Sequence, residues 1–269
     1  MYATDFIYDG EYLSDYNFVI CSINSSEGVS EVSAGSEITF NQVAMNQGEK
    51  YSLTSTKYDN CISTTFDICK DPDYFEDIEV TEEEYRVIMR WLNRKEYLKF
   101  CFRTDYNRVC YYNASFNIKN IYIDDVLYGF RLTMYTNRPF GYGEDIEVVI
   151  STTTTNDIIT VEDESDEIGF TYPQLKIQIG DTTGDFIITN ETHAPDAPTI
   201  IKNCSVGEVI TIDCENQVIE STYSNHICND FNYRFFKLGN FFRTNKNEIS
   251  ISLPCTVTIT YKPIIKNIN

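Results

Sequence analysis

Two histidines are all the imidazole this chain has: His193 in ETHAPDAP and His226 in SNHICND. Hydrolysis by a metal or an activated nucleophile commonly uses an imidazole held beside its partner. Neither histidine sits in an HExxH helix, and no GxSxG elbow, P-loop or GxGxxG turn occurs. Cys228 lies two residues from His226, but with 9 cysteines such closeness is expected by chance. The cysteines (21, 61, 69, 101, 110, 204, 214, 228, 255) form no CxxC pair, and their number is odd. Cys101 in LKFCF and Cys214 in ITIDC fall inside strand-like runs, which reads as reduced, buried thiols rather than metal ligands. Carboxylates are so common that sequence order alone singles out no acid–base pair, since a glycosidase needs two at a defined separation. The run Glu162-Asp163-Glu164-Ser165-Asp166-Glu167 invites calcium but lacks the spaced oxygens and glycine of an EF-hand loop, and reads as a solvated acidic turn. Tyr233, Phe235, Phe236, Phe241 and Phe242 could stack on sugar rings; FNYRFF also alternates enough to be a core strand, the preferred reading. No residue is therefore assigned a catalytic, cofactor-binding or metal-binding role.

Charge narrows the partners. The chain carries 41 acidic against 21 basic residues, a net charge of -20. The halves are alike: residues 1–145 hold 24 acids and 13 bases (-11), residues 146–269 hold 17 and 8 (-9). Without clustered Lys and Arg, direct nucleic-acid binding is not expected. The start MYATDFIYDGEY has neither a basic head nor an apolar run, and nothing later approaches the ~20 residues that span a bilayer. Folding in a cytoplasm, without membrane insertion, is the expectation, and the sequons at Asn24, Asn113, Asn190 and Asn203 then carry no sugar.

The elements that would position any site are mostly strands. In the first half the sequence predicts FIY, an Asp9-Gly10 turn, then NFVICSI, followed by a polar loop over 25–37. Strands are expected at 38–40, 51–58, 63–70, 97–103, 108–116 and 126–136, with a turn at Asp105–Asn107. One segment differs. In TEEEYRVIMRWLNRKEYLKF, Thr81 and Glu84 form a capping box, and Tyr85, Ile88, Met89 and Leu92 make one apolar stripe. That helix, with the only tryptophan, is expected to lie on a sheet and serve structure. NRPFGYGED (137–145) interrupts the pattern, so the boundary is placed between domains 1–142 and 143–269. The second half alternates strictly in QLKIQIG, NEISISL and TVTITY, without helices, with GDTTGD (180–185) and CENQ (214–217) as hairpin turns; it predicts an antiparallel sandwich. The fold class is mainly β, with one α-helix in the first domain.

Several stretches resemble the distal tail protein (Dit) family of siphophages. FIYDGEYLSDYNFVI (6–20) is similar to its opening of strand, Gly turn and Ser-Asp-aromatic step. RWLNRKEYLKF followed by YYNASF resembles its helix-Trp-Leu segment and tyrosine-rich strand, and GFRLTMYTNRPFGYG its first-domain exit. GEVITIDCENQ and RFFKLGNFFRTNKNEISI are similar to second-domain segments. Two departures stand out: Asn93-Arg94-Lys95 where a glycine is common, and FFRTNKNE in place of a short glycine turn. The resemblance implies a virion structural protein without catalysis or cofactor. Its N-terminal β-sandwich with helix would assemble a homo-hexamer ring joining the tail tube protein to the tail tip or baseplate, around the tape measure protein. Its galectin-like or carbohydrate-binding-module-like C-terminal sandwich would dock tip and receptor-binding proteins, with a host-surface glycan as a further ligand. The alternatives are a free-standing carbohydrate-binding adhesin and, behind it, a glycan hydrolase.

Overall fold

The computed structural model describes residues 3–21, 38–45, 50–59, 61–72, 79–103, 110–153, 157–223 and 226–266. The polar stretch 25–37, the turn expected at Asp105–Asn107 and the middle of STTTTND lie outside them. The chain separates into two compact units, Met1–Tyr142 with the residues from Lys266 on, and Gly143–Ile265.

In the first unit, Asp9 and Gly10 both take positive φ (54° and 84°), the backbone of a tight hairpin turn. They join β1 (Asp5–Tyr8) to β2 (Glu11–Tyr12); a 3₁₀ turn, Leu13–Tyr16, leads to β3 (Phe18–Cys21). A hairpin, β4 (Ile38–Ala44) and β5 (Tyr51–Tyr58), precedes β6 (Ser63–Lys70). Helix α1 (Glu82–Leu92) is followed by β7 (Leu98–Arg103), β8 (Tyr112–Ile123), β9 (Val126–Thr136) and β10 (Gly141–Tyr142). Strand β8 runs on past Phe116, where sequence alone ends it. It turns at Asp124-Asp125, two aspartates with φ 50° and 66° filling the left-handed positions that Asn-Gly usually takes.

Seven of these strands form one antiparallel sheet, ordered β2-β1-β7-β8-β9-β6-β3. The sheet curls: Ile20 on β3 donates its N–H to the Thr4 carbonyl, 2.9 Å away, just ahead of β1. Phe6 on β1 thereby meets Phe66 on β6 at 5.8 Å, so the layer facing β1 is the far side of the same sheet. The period of two sends Phe6, Tyr8, Phe100, Phe116, Phe130 and Leu132 to the inner face, all buried.

Helix α1 lies against that face. Its capping box is formed as the sequence predicts, with Glu84 N donating to Thr81 Oγ1 (3.3 Å) and Thr81 N donating to Glu84 Oε2 (2.8 Å). The buried Lys70 of β6 reaches Glu84 Oε1 (3.0 Å) and the Glu79 carbonyl (2.8 Å), fastening the helix start to the sheet. Ile88, Trp91 and Leu92 are buried. The Trp91 ring stacks on Phe6 (5.6 Å) and Tyr16 (4.5 Å), and its Nε1–H donates to the Tyr8 carbonyl at 3.1 Å. The helix is a core element.

The second unit is a sandwich of two antiparallel sheets. One is ordered β11 (Ile146–Thr152), β21 (Cys255–Tyr261), β14 (Gln174–Ile179), β17 (Val209–Asp213), β18 (Val218–Ser221). The other is ordered β12 (Asp157–Glu162), β20 (Lys246–Ile251), β15 (Gly184–Asn190), β16 (Thr199–Cys204), and a small ladder pairs β13 (Gly169–Thr171) with β19 (Leu238–Asn240). Inward side chains of both sheets, such as Ile177, Ile210 and Val257 against Phe186, Ile188 and Ile251, make one core. Asn247, with no exposed surface, knits the strands. It accepts from Asn190 Nδ2 (2.7 Å) and Gly239 N (2.6 Å) and donates to the carbonyls of Val161 (3.2 Å) and Gly239 (3.1 Å).

Three expectations are corrected here. GDTTGD links β14 to β15, which belong to different sheets, so it is a crossover rather than a hairpin turn; CENQ does turn β17 into β18. The half expected to lack helices contains a one-turn helix, α2 (Ile227–Asp230). FNYRFF is irregular rather than a strand: Phe231 and Phe236 are buried, while Tyr233, at φ 54°, points outward. Alternation of aromatics mimicked a strand because two of them anchor an irregular segment to the core.

Candidate functional site

The second histidine of the chain is tied into a cluster of charged groups. His226, at the start of α2, holds Glu208 Oε1 through Nε2 (2.7 Å) and Asp230 Oδ2 through Nδ1 (3.1 Å). Glu208 is fully buried and also accepts from the Ser221 hydroxyl and from Ser205 N (2.9 Å). Burial pushes Glu208 up, but the bonds from Ser221, His226 and Ser205 outweigh it and hold the carboxyl below its ordinary 4.5. Burial likewise lowers His226, but its bond and charge interaction with Glu208, then with Asp230, leave it above 6.5. In a hydrolytic triad the serine hydroxyl hydrogen-bonds the imidazole. Here Ser221 bonds the carboxylate instead, so the set is an ionic latch tying α2 to β17 and β18. Glu208 was missed in the sequence, where it looks like one more acid ahead of the VITID strand.

Cys228 is exposed, and both ring nitrogens of His226 face carboxylates, so the structure does not make a Cys–His pair. Cys101, Cys110, Cys204, Cys214 and Cys255 are buried free thiols. Burial pushes Cys204 up to about 11 and Cys214 to about 12, which keeps them protonated and unreactive. His193 packs where a side chain on Gly239 would sit: a Cβ there would lie 2.5 Å from His193 Cγ. Phe241 is 5.1 Å from the same ring.

The acidic run folds on itself. Asp163, 1% exposed, accepts from Ser165 N (3.0 Å) and Thr171 Oγ1 (2.8 Å), which is an Asx turn rather than the solvated turn expected for this residue. Among the described residues, no three His, Cys, Asp or Glu side chains converge as metal ligands. Asp163, Glu164, Ser165 and Asp166 line a surface depression with Asn240, Phe242 and Arg243. The aromatic cluster is thus divided: Phe236 is core, Tyr233 is 64% exposed, and Phe242, at the tip of the β19–β20 turn, is 95% exposed. No described helix is long and apolar enough to cross a membrane.

What remains is a framework of two β units with surface features and no assembled catalytic centre among the described residues. Comparison with known families accounts for both units. Residues 1–138 match the model of a phage tail protein N-terminal domain, and residues 140–261 that of a phage tail C-terminal domain. The chain belongs to this family of phage tail proteins. No curated protein sequence matches it. Among solved structures, this phage tail protein is similar to the Dit protein of phage SPP1, described as a paradigm of the hub adsorption apparatus in phages that infect Gram-positive bacteria. The TM-score is 0.65 at 13% identity, over 96% of this chain and 98% of that one. A weaker likeness, TM-score 0.45 at 10% identity, is to a chain of the phage p2 baseplate in its activated conformation. The phage tail protein therefore has a Dit-like fold across both units, as the sequence resemblance implied.

Proposed function

We propose that this phage tail protein is the distal tail hub of a siphophage. Six copies close through the first unit into a ring that joins the tail tube protein to the tip or baseplate and surrounds the tape measure protein. The second unit is the platform on which tip and receptor-binding proteins dock. Assembly takes place in the bacterial host cytoplasm, and the finished ring is a virion component without catalytic activity or direct nucleic-acid binding. The observation that carries this reading is the likeness to the SPP1 Dit chain along nearly the whole length of both proteins. Two further observations support it. His226 and Glu208 are tied into the latch and Asp163 into an Asx turn. The net charge of -20 suits a ring whose lumen lets DNA pass without adsorbing it. Immunogold labelling of purified virions tests the reading: label is expected at the distal end of the tail tube, and virions free of this polypeptide refute it.

One observation favours a second reading, a free-standing carbohydrate-binding adhesin: the exposed Phe242 lines a surface depression that also holds carboxylates and Arg243. Glycan binding that disappears in Phe242→Ala, in a protein absent from virions, would establish it.

A further inference from the structure

Two of the 9 cysteines meet across a strand pair. Strands β3 and β6 run antiparallel with Val19 opposite Cys69 and Cys21 opposite Asp67. The period of two therefore puts Cys21 and Cys69 on the same face of the sheet, as diagonal neighbours. It is the face turned away from Phe66 and Lys70, which point to the core and to α1. The Cys21 S–H donates to the Cys69 sulfur, and both residues are half-buried, free thiols. The other three strand cysteines have no cysteine across the ladder. Cys101 lies opposite Ile7, Cys204 opposite Gly184, and Cys255 opposite Thr152 and Ile179.

The surroundings give the two sulfurs different roles. The bond from Cys21 favours a thiolate on Cys69, against burial and the carboxylates of Asp71 and Asp67; the same bond, with burial, keeps the Cys21 thiol protonated. Arg131 holds Asp67 through two hydrogen bonds (2.7 and 2.9 Å), which offsets the nearest negative charge. We propose that Cys21 and Cys69 are a redox pair, which a small-molecule disulfide converts to an intramolecular disulfide stapling β3 to β6. The Cys69 thiolate attacks one sulfur of the reagent and expels the first small thiolate. Cys21 passes its proton to that thiolate and attacks the Cys69 sulfur of the mixed disulfide, expelling the second, which is protonated from solvent. Two electrons pass from the cysteines to the reagent, so two protein thiols and one disulfide yield one protein disulfide and two small thiols. Diagonal Cβ atoms stand wider than the ~3.8 Å between the Cβ atoms of a disulfide. Strand β3 can move to close that gap, because it is an edge strand, paired in the ladder with β6 alone. A bond closed against such spacing is readily reduced again, so it forms and opens with the redox state of the medium.

The test uses the full chain carrying Cys61→Ser/Cys228→Ser, which removes the two exposed thiols and leaves seven (9 less these 2). The folded protein is incubated with oxidised glutathione, quenched in acid, unfolded and alkylated, and its mass and peptide map are recorded. The expected result is five alkylated thiols (7 less 2), a mass lower by two hydrogens before alkylation, and one crosslink, between the peptides of Cys21 and Cys69. Dithiothreitol should restore all seven thiols. Adding Cys21→Ser should abolish the crosslink and leave one glutathione on Cys69, the attacking sulfur; adding Cys69→Ser should abolish the crosslink as well. Seven free thiols after oxidation, a glutathione retained on either cysteine of the unsubstituted pair without the crosslink, or a crosslink between other cysteines overturns the proposal.

Discussion

Replacing Trp91 by alanine removes the side chain on which the first unit converges. The ring is 5% exposed, stacks on Phe6 and Tyr16, meets Tyr8 edge-on at 6.2 Å, and donates one hydrogen bond to the Tyr8 carbonyl. Emptying such a site costs about 3–5 kcal/mol. Within that, the abandoned Tyr8 carbonyl accounts for about 1–3 kcal/mol and each aromatic contact for about 0.5–1.5 kcal/mol. Trp91→Phe keeps ring contacts but not the N–H donor, and should cost about 1–3 kcal/mol. For a unit of this size the alanine variant lowers the melting temperature by roughly 8–15 °C. Differential scanning calorimetry is the assay, because the chain's only tryptophan is itself the fluorescent reporter being removed. The transition of the first unit should move and that of the second should not. An unchanged thermogram for Trp91→Ala, or a Phe variant as damaged as the Ala variant, refutes the assignment of α1 to the core through this residue.

Three other outcomes follow from the second unit and the curled sheet. Asn247→Asp should destabilise the sandwich by about 2–4 kcal/mol, since a carboxylate cannot donate to the buried Val161 and Gly239 carbonyls; urea titration showing less than 1 kcal/mol contradicts this. The latch makes stability pH-dependent. His226, raised above 6.5, contributes fully below that value and less as pH rises through its folded pKa; Glu208, lowered below 4.5, contributes fully above that value and less as pH falls through its own. Melting of the second unit should therefore decline on the alkaline side of 6.5, and Glu208→Gln should flatten the decline; an identical profile in the variant contradicts the latch. Gly129→Ala should disrupt β9 against β6, because its Cβ would lie 2.3 Å from the Ile68 carbonyl oxygen; a melting curve like that of wild type contradicts it.

Local rules carried much of this fold in the sequence. The Thr81–Glu84 capping box and its apolar stripe made α1 readable, and β5, β6 and β9 begin and end where their alternation does. What escaped depends on partners distant in the chain. Glu208 became a buried anchor only because Ser221 and His226 come round to meet it. The crossover at GDTTGD reads like a hairpin turn because Gly and Asp favour both, and only sheet pairing decides. The apolar face of β4–β5 was hidden by the register irregularity at Asn41/Gln42, which puts Tyr51 and Leu53 on the same face as Phe40 although the strand sequences alone look mixed. The candidate sites showed the same limit: Phe236 and Phe242 are chemically alike, and their fates, core and turn tip, are set by three-dimensional placement.

Electron cryomicroscopy of the purified virion's tail end tests the central claim most directly. The account predicts six copies of this fold in one ring at the junction of tube and tip, with the first units forming the closed circle. A tail whose junction is built from a different polypeptide, or one that carries this chain only as isolated appendages, contradicts it.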